Sequence, residues 1–275
     1  MKMIISPTDF SPVSLNAVNY AADMACLLGA NLSLIHVYPI PTPVGEVPVV
    51  AFSIEQLEAD ARRQINSLKN ELLRRTSQRI SIFTEVRAGD VISELIDYCS
   101  KLHPFAVIMG AETAAGFERI LLGGTSVEAL KKILWPLIIV PPLALFTNIR
   151  KIGLACDLKE VVESVRVPEI KALLREFDAQ LHIIHVSDEE SDGFSPRAIE
   201  ESALLQEMIG QMKPQYHFIK NSEIENGIVR FAEENKIDLL IVVPKRHTLA
   251  AKILHPSHSR RLMLQASIPV MSIHE

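Results

Sequence analysis

The sequence predicts an α/β protein built as two tandem copies of a five-stranded parallel-sheet domain, and three observations lead there. Short apolar runs alternate with amphipathic stretches through the first half. One of them, Phe105 to Met109, is continuous rather than alternating, the pattern of a strand covered on both faces of a parallel sheet, and Gly110 ends it. The segment Ala30-x-Leu32-x-x-Ile35-His36-Val37 then returns as Ala179-x-Leu181-x-x-Ile184-His185-Val186, with five identities in the eleven aligned positions counted from Leu27 and Glu176.

Taken in order, Lys2 to Pro7 reads as the first strand. Ser11-Pro12 opens a helix, with serine as cap and proline in the first turn, and Ala17, Ala21, Ala25 and Leu28 mark one face of it. Leu32 to Val37 is the second strand, after which Pro39, Pro41, Pro43 and Pro48 keep a loop extended. Ser53 with Gln56 suggests a capping box for a long helix whose Leu57, Ala61, Ile65, Leu68 and Leu72 recur at helical steps. Arg62, Arg63, Arg74 and Arg75 belong to its solvated face. A strand over 80–86 follows, then a helix over 90–101 with Val91, Leu95 and Ile96 inward, the fourth strand, a helix to about Leu134, and a fifth strand from Leu137 to Val140. Five strands alternating with four helices imply right-handed crossovers and a parallel sheet covered on both faces.

The second half repeats this plan. Asp9 returns as Asp157, the stretch 237–244 matches the fourth strand, and Ser267-Ile268-Pro269-Val270 echoes Leu134-Trp135-Pro136-Leu137. The boundary is placed near Phe146 to Asn148, giving domains 1–146 and 147–275. A fifth strand lies at a sheet edge with unpaired backbone groups, so the two halves are expected to pack as an internal pseudo-dimer through their fifth strands. A homodimer of the whole chain is compatible with the same pattern.

Composition excludes several classes. A chain of 275 residues with 48% hydrophobic and 22% charged residues is long enough for two small domains. Its formal charge of -5, with no basic run interleaved with aromatics, argues against nucleic acid as a partner. The most apolar stretch, 134–146, is interrupted by Pro136, Pro141 and Pro142 and is too short to span a bilayer. The N-terminus runs directly into a strand without the pattern of a signal peptide, so a cytoplasmic location and no membrane partner are expected. Cys26, Cys99 and Cys156 are scattered singly in apolar surroundings, which reads as buried thiols rather than a disulfide or metal framework.

The chemistry concentrates in the stretch 107–126, V-I-M-G-A-E-T-A-A-G-F-E-R-I-L-L-G-G-T-S, which runs from the fourth strand through a glycine-marked loop into a helix. Gly123, Gly124, Thr125 and Ser126 precede that helix. Glycines there admit a ligand close to the backbone, and the first N–H groups of the helix attract an anion such as phosphate. The same residues also fit a tight loop closed by a Thr125–Glu128 capping box. Asp9 has two readings as well: a hydrogen-bond acceptor for a ligand, or an Asx-turn before Ser11-Pro12.

Gly110-x-x-Thr113-x9-Gly123-Gly124 resembles the Gly-x-x-Gly-x9-Gly-Ser/Thr signature of the universal stress protein family, with Thr113 in place of the second glycine and Gly124 in place of the Ser/Thr. Gly116-Phe117-Glu118-Arg119-Ile120-Leu121-Leu122-Gly123 and Pro7-Thr8-Asp9-Phe10-Ser11 resemble the family's wording too, and the likeness extends over nearly the whole chain. The resemblance implies two Rossmann-like domains of the adenine nucleotide alpha hydrolase type, each with strand order 3-2-1-4-5. It implies a stress-response protein that binds ATP or another adenine nucleotide, with or without magnesium, and signals to a protein partner not named by the sequence. Carried over position by position, it implies a site of Pro7, Thr8, Asp9, Val37, Met109, Gly110, Thr113, Gly123, Gly124, Thr125 and Ser126 in the first half. The rival reading is an interaction module of the same fold with a degenerate crevice, and an ATPase or nucleotidyl-transfer enzyme comes third.

In the second half the corresponding loop runs from Pro244-Lys245-Arg246-His247 to His255-Pro256-Ser257-His258 without a glycine, and Pro244 is read as the replacement for Gly110. Nucleotide is therefore expected in the first half alone. Lys245, Arg246, His247, His255, His258, Arg260 and Arg261 suit either another anionic or acidic partner or a solvated loop. The histidines lack the spacing of a zinc site, so no metal is assigned. His36 and His185 read as packed histidines at strand ends. No nucleophile elbow, His-Glu-x-x-His helix or nucleophile beside a base appears, so the chain is expected not to be an enzyme.

Overall fold

The computed structural model describes residues 2–40, 54–111, 124–158, 161–187, 196–243, 262 and 266–273. The first half contains β1 (Met3–Pro7), α1 (Pro12–Leu28), β2 (Asn31–Tyr38), α2 (Ile54–Arg75), β3 (Ile82–Ala88), α3 (Val91–Leu102), β4 (Ala106–Gly110), α4 (Gly124–Lys132) and β5 (Leu137–Val140). The second contains β6 (Lys151–Ala155), α5 (Val161–Ser164), α6 (Val167–Phe177), β7 (Gln180–Ser187), α7 (Pro196–Ile209), β8 (Gln215–Lys220), α8 (Ile224–Glu234), β9 (Leu239–Val242) and β10 (Val270–Ser272), with a short 3-10 turn at Gly210–Met212.

The ten strands of the described residues form one sheet in the order β3-β2-β1-β4-β5-β10-β9-β6-β7-β8. Each half thus has the strand order 3-2-1-4-5, and pairing within it is parallel. The halves meet through their fifth strands, as edge protection demands, and this pairing is antiparallel: Ile138 faces Met271, Val270 faces Ile139 and Ser272 faces Leu137. Ile138 and Met271 are both fully buried.

Two apolar layers cover the sheet. One joins α1 and α2 to α6 and α7 and includes Ile4, Met24, Ile138, Leu154, Phe177 and Met271; it therefore runs through both halves without a break. The other lies under α3, α4 and α8 and includes Ile5, Leu95, Ile133, Ile184 and Ile228. On α2 the face is as read, with Ala61, Ile65, Leu68 and Leu72 buried, whereas Leu57 is half-buried; Ser53 of the expected capping box lies outside the described residues.

Helix α1 is buried on more than its alanine face, since Val18, Tyr20, Ala22 and Met24 are covered as well. The reason is tertiary. The chain leaving β5 lies over the helix, with the Asn16 side-chain amide donating to the carbonyls of Pro141 and Ala144 at 3.1 Å each. Phe146 meets the Tyr20 ring edge-on at 5.0 Å. Burial pushes the Tyr20 hydroxyl far above its ordinary value, and Asp238 of the second half adds to the effect.

Three details differ from the sequence expectation. The third strand begins at Ile82 rather than Ile80, because Ser77 and Gln78 adopt left-handed backbone (φ 49° and 56°) after α2 and delay entry into the ladder with β2. In α3 the fully covered residues are Ile92, Leu95 and Cys99, whereas Val91 and Ile96 of the expected inward set are half-buried. In the second half, Val243 and not Pro244 stands in the place of Gly110. Pairing of β6 with β9 sets Ile152 against Leu239, as β1 with β4 sets Ile4 against Ala106, so Val243 follows β9 where Gly110 ends β4.

The repeat extends to backbone conformation. Phe10 and Leu158, one residue after the repeated Asp9 and Asp157, are both left-handed (φ 64° and 50°), as are Gly29 and Asp178 at the ends of α1 and α6 (φ 58° and 49°). His36 Nδ1 bonds the Thr8 carbonyl at 2.7 Å and His185 Nδ1 the Cys156 carbonyl at 3.0 Å, which makes both of them packed histidines at strand ends.

A core shared by both halves should unfold as one unit. Urea unfolding of the full chain, followed by fluorescence of Trp135 in the first half and by far-ultraviolet circular dichroism of both, should give coincident midpoints. Two separated transitions would show that the halves fold independently.

Candidate functional site

The site arises where two neighbouring strands part. β1 and β4 pair at Ile4–Ala106 and Ile5–Val107 and then separate, while β4 stays paired with β5 as far as Gly110–Val140. The buried Ser6 hydroxyl spans the start of the gap by donating to the Ile108 carbonyl at 2.9 Å. Pro7 supplies the reason for the separation. In a parallel strand successive residues bond to opposite neighbours, and the Thr8 N–H goes to Ile35 of β2 at 2.9 Å, so position 7 faces β4. A proline there has no N–H to offer. In the second half Ala155 occupies this position, and β6 remains paired with β9 through Leu154–Ile241 and Ala155–Val242.

This opening lies where the crossovers reverse direction, beyond the carboxyl ends of the strands. It holds a cavity of about 180 Å³. Pro7, Thr8 and Asp9 after β1 line it, with Val37 of β2, Met109 and Gly110 of β4, and Thr125 and Ser126 at the start of α4. Gly124 opens α4. Thr113 and Gly123 lie outside the described residues, as does the basic stretch 244–261.

The cavity wall includes five further residues that the sequence reading did not select: Ser11, Val13 and Ser14 in the first turn of α1, Ile35 of β2 and Val91 at the start of α3. Ile35 was accessible to period-two reasoning, because it shares a strand face with Val37. Val91 was not, since its place depends on how α3 docks.

The polar side of the cavity is a connected network. The Phe10 N–H donates to Thr8 Oγ1 at 3.0 Å, and the Ser14 hydroxyl donates to the Ser11 carbonyl at 3.0 Å. Thr8 Oγ1 and Ser14 Oγ are 3.0 Å apart, within hydrogen-bond distance of each other. Ser11 Oγ caps α1 by accepting the Ser14 N–H at 3.2 Å. Asp9 makes the Asx-turn, accepting the Ser11 N–H at 3.0 Å, while also facing the cavity; the two readings of this residue are compatible. Burial pushes its carboxyl up, but hydrogen bonds from Ser11, Ser14 and the local backbone outweigh burial and hold it below the ordinary carboxylate range. It is an ionised acceptor at neutral pH, with lone pairs beyond the one the turn uses.

Two contacts hold the far wall. The Ser126 hydroxyl donates to the Gly110 carbonyl at 3.3 Å and ties the first turn of α4 to the end of β4. A Cβ on Gly110 would lie 2.7 Å from both Cγ1 and the carbonyl oxygen of Val13, so only glycine lets β4 end this close to α1. In the second half Val243 occupies that place, and the N-terminus of α5 is met by the Glu201 carboxylate of α7, which accepts the Val161 N–H at 2.9 Å.

Among the described residues no group of three or more His, Cys, Asp or Glu side chains gathers as metal ligands, and no helix is long and apolar enough to cross a membrane. Cys99 is buried beneath α3, which pushes its thiol up to about 12.

Comparison with known proteins accords with this architecture. The model of the universal stress protein family matches residues 1–141 and again residues 149–274. A universal stress protein of Methanocaldococcus jannaschii is 27% identical over 141 residues, which cover 50% of this chain and 81% of that protein. Among solved structures, a universal stress protein from Archaeoglobus fulgidus superposes with a TM-score of 0.75 at 20% identity, covering 99% of this chain and 98% of that one. A functionally unknown protein from Pseudomonas aeruginosa superposes with a TM-score of 0.68 at 14% identity, covering 100% of this chain and 92% of that one.

The two wall residues should respond differently to substitution. Gly110→Val forces α1 away from β4 and should cost about 1–3 kcal/mol, the usual range for overpacking. Pro7→Ala exchanges chain stiffness for a ladder donor, two effects each of about 1 kcal/mol, and should leave stability within about 1 kcal/mol of wild type. Denaturant unfolding measures both; equal losses would contradict this account of the gap.

Proposed function

We propose, from the premise that this chain belongs to the universal stress protein family, that its first half is a binding domain for ATP or another adenine nucleotide and its second half is a structural partner without that site. The nucleotide-bearing domain is taken as residues 1–146 and its degenerate partner as residues 147–275. The observation that carries the reading is the cavity between β1 and β4, where Asp9, Gly110 and Thr125 converge from segments more than a hundred positions apart.

The chemistry of the wall suits such a ligand. Ile35, Val37 and Met109 present an apolar surface for a flat base, and Asp9 offers an ionised acceptor for a base amine or ribose hydroxyl. The first turn of α4, with Thr125, presents N–H groups and the positive end of a helix dipole to a phosphate. At about 180 Å³ the described cavity is smaller than the roughly 300–1,000 Å³ of a complete ligand site and matches one portion of a nucleotide. Gly123, in the stretch preceding α4, is the residue assigned to the phosphates, and magnesium would travel with them.

The reading is one of binding without dedicated catalysis. The hydroxyls of Thr8, Ser14 and Ser126 are engaged with neighbouring protein oxygens, and Asp9, held ionised by hydrogen bonds, is a weak base. Membership of the family supports reading the chain as a cytoplasmic stress-response protein that communicates occupancy to a protein partner. Thr113, in place of a family glycine, favours the second reading, an interaction module whose crevice takes no nucleotide.

Calorimetric titration of the full chain with ATP and magnesium should give one site per chain. Asp9→Ala should weaken it about tenfold or more, as expected for the loss of a hydrogen bond to a charged group, and Asp157→Ala should leave it unchanged. Absence of binding to the wild-type chain would favour the interaction module, and a stronger effect of Asp157→Ala would move the site to the second half.

A further inference from the structure

The outer edge of the second half buries a pair of imidazoles. His182 on β7 is 4% exposed, and its Nδ1 lies 3.0 Å from Nε2 of His217 on the edge strand β8. The two rings stack at 5.2 Å with planes 13° apart, and Phe231 of α8 packs on His217 at 4.5 Å. His182 Nε2 is buried and has no hydrogen-bond partner among the described residues.

The equivalent place in the first half is built differently. Ser33 corresponds to His182 through the repeat, and Glu85, opposite Ile35, corresponds to His217, opposite Ile184. Tyr98 and Phe231 both stand five residues before the left-handed residue that ends the helix region, His103 in one half and Lys236 in the other. There the Ser33 hydroxyl and the Tyr98 hydroxyl meet at 2.8 Å, a contact that needs no group titrating near neutrality. Phe231 lacks that hydroxyl, and the polar contact passes to a second histidine.

We infer that His182 and His217 form a proton-operated latch that holds edge strand β8 and helix α8 on the second half and loosens them when the medium turns mildly acidic. One proton fits between nitrogens 3.0 Å apart. In the neutral pair one ring donates and the other accepts; with both rings protonated, two N–H groups face each other across that distance and the contact cannot persist. Among the described residues no carboxylate is paired with either ring. β6 contributes the Lys151 ammonium, which donates to the Asn235 carbonyl at 2.9 Å, and α8 contributes Phe231 and Asn235. The charges of α8 nearby, Arg230 and Glu234, pair with each other at the surface, and Asp238 accepts the N–H groups of Arg150 and Lys151.

The sign of the effect follows. Burial lowers both imidazoles from the ordinary 6.5, and His182 is lowered further by His217 and then Lys151. The unfolded edge therefore binds more protons than the folded one. The stability these residues contribute is complete above the ordinary imidazole value and is lost as pH falls below it. Release of β8 uncovers the backbone edge of β7 and the buried Ile183, Ile184 and Val186.

Amide hydrogen exchange of the full chain at pH 7.5 and pH 5.0, corrected for intrinsic rates, tests the latch. Opening of β8 should become about tenfold easier for each pH unit below the imidazole range per excess proton bound, while β3 at the opposite edge keeps its protection. The double variant His182→Ser/Phe231→Tyr, which installs the hydroxyl pair of the first half, should lose most of this difference between the edges. Ring-proton NMR titration of the wild-type chain provides a second measurement that needs no variant: at least one of the two imidazoles should titrate below the ordinary range. Equal pH dependence at β3 and β8, or ordinary titration of both rings, would overturn the proposal.

Discussion

The antiparallel pairing of β5 with β10 is the constraint on which the architecture depends. Each half has the 3-2-1-4-5 order, which leaves its fifth strand at an edge with a row of unpaired N–H and C=O groups. Joining the two edges satisfies both rows at once and buries Ile138 against Met271 at the centre of a ten-stranded sheet. It also explains why the apolar layer beneath α1 continues into that beneath α6, and why α1 is enclosed on several sides. Once the sheet is continuous, the chain leaving β5 must pass over α1 to reach β6, and Asn16 and Tyr20 receive it there.

On this shared frame the halves diverge through a few substitutions at matching places. Pro7 denies β4 a donor and leaves the first crevice open, whereas Ala155 keeps the second zipped for two more residue pairs. Gly110 lets the strand end lie against Val13; Val243, in the same position, carries the side chain that such closeness excludes. Ser33 and Tyr98 make a hydroxyl contact where His182 and His217 make an imidazole one. Meanwhile the left-handed residues Phe10 and Leu158, and the histidine contacts of His36 and His185, are retained in both. Backbone geometry has persisted while the chemistry of the walls has changed.

Much of this was legible in one dimension because it rests on local periodicity and repetition. Apolar runs and helical stripes located the strands and helices, the Ile35-His36-Val37 echo located the second copy, and the family wording around Asp9, Gly110 and Gly124 pointed to one crevice. Strand order came with the family resemblance, whereas the pairing of the fifth strands followed from edge protection, a property of any sheet with exposed edges. The start of β3 was misplaced by two residues, since a left-handed turn at Ser77 and Gln78 leaves little trace in hydrophobicity.

What the sequence by itself determined is the element order and the duplication, which follow from spacing along the chain, and the set of residues at the ends of β1 and β4, which the family resemblance carried over. Tertiary structure alone decided that Pro7 opens a gap toward β4, that Ser11, Ser14 and Val91 join the cavity wall, and that Val243 rather than Pro244 replaces Gly110. It alone also brought His217 to His182. These outcomes depend on register and on the docking of helices against strands, where a shift of one residue changes which side chain meets which neighbour, and no local periodicity encodes that choice.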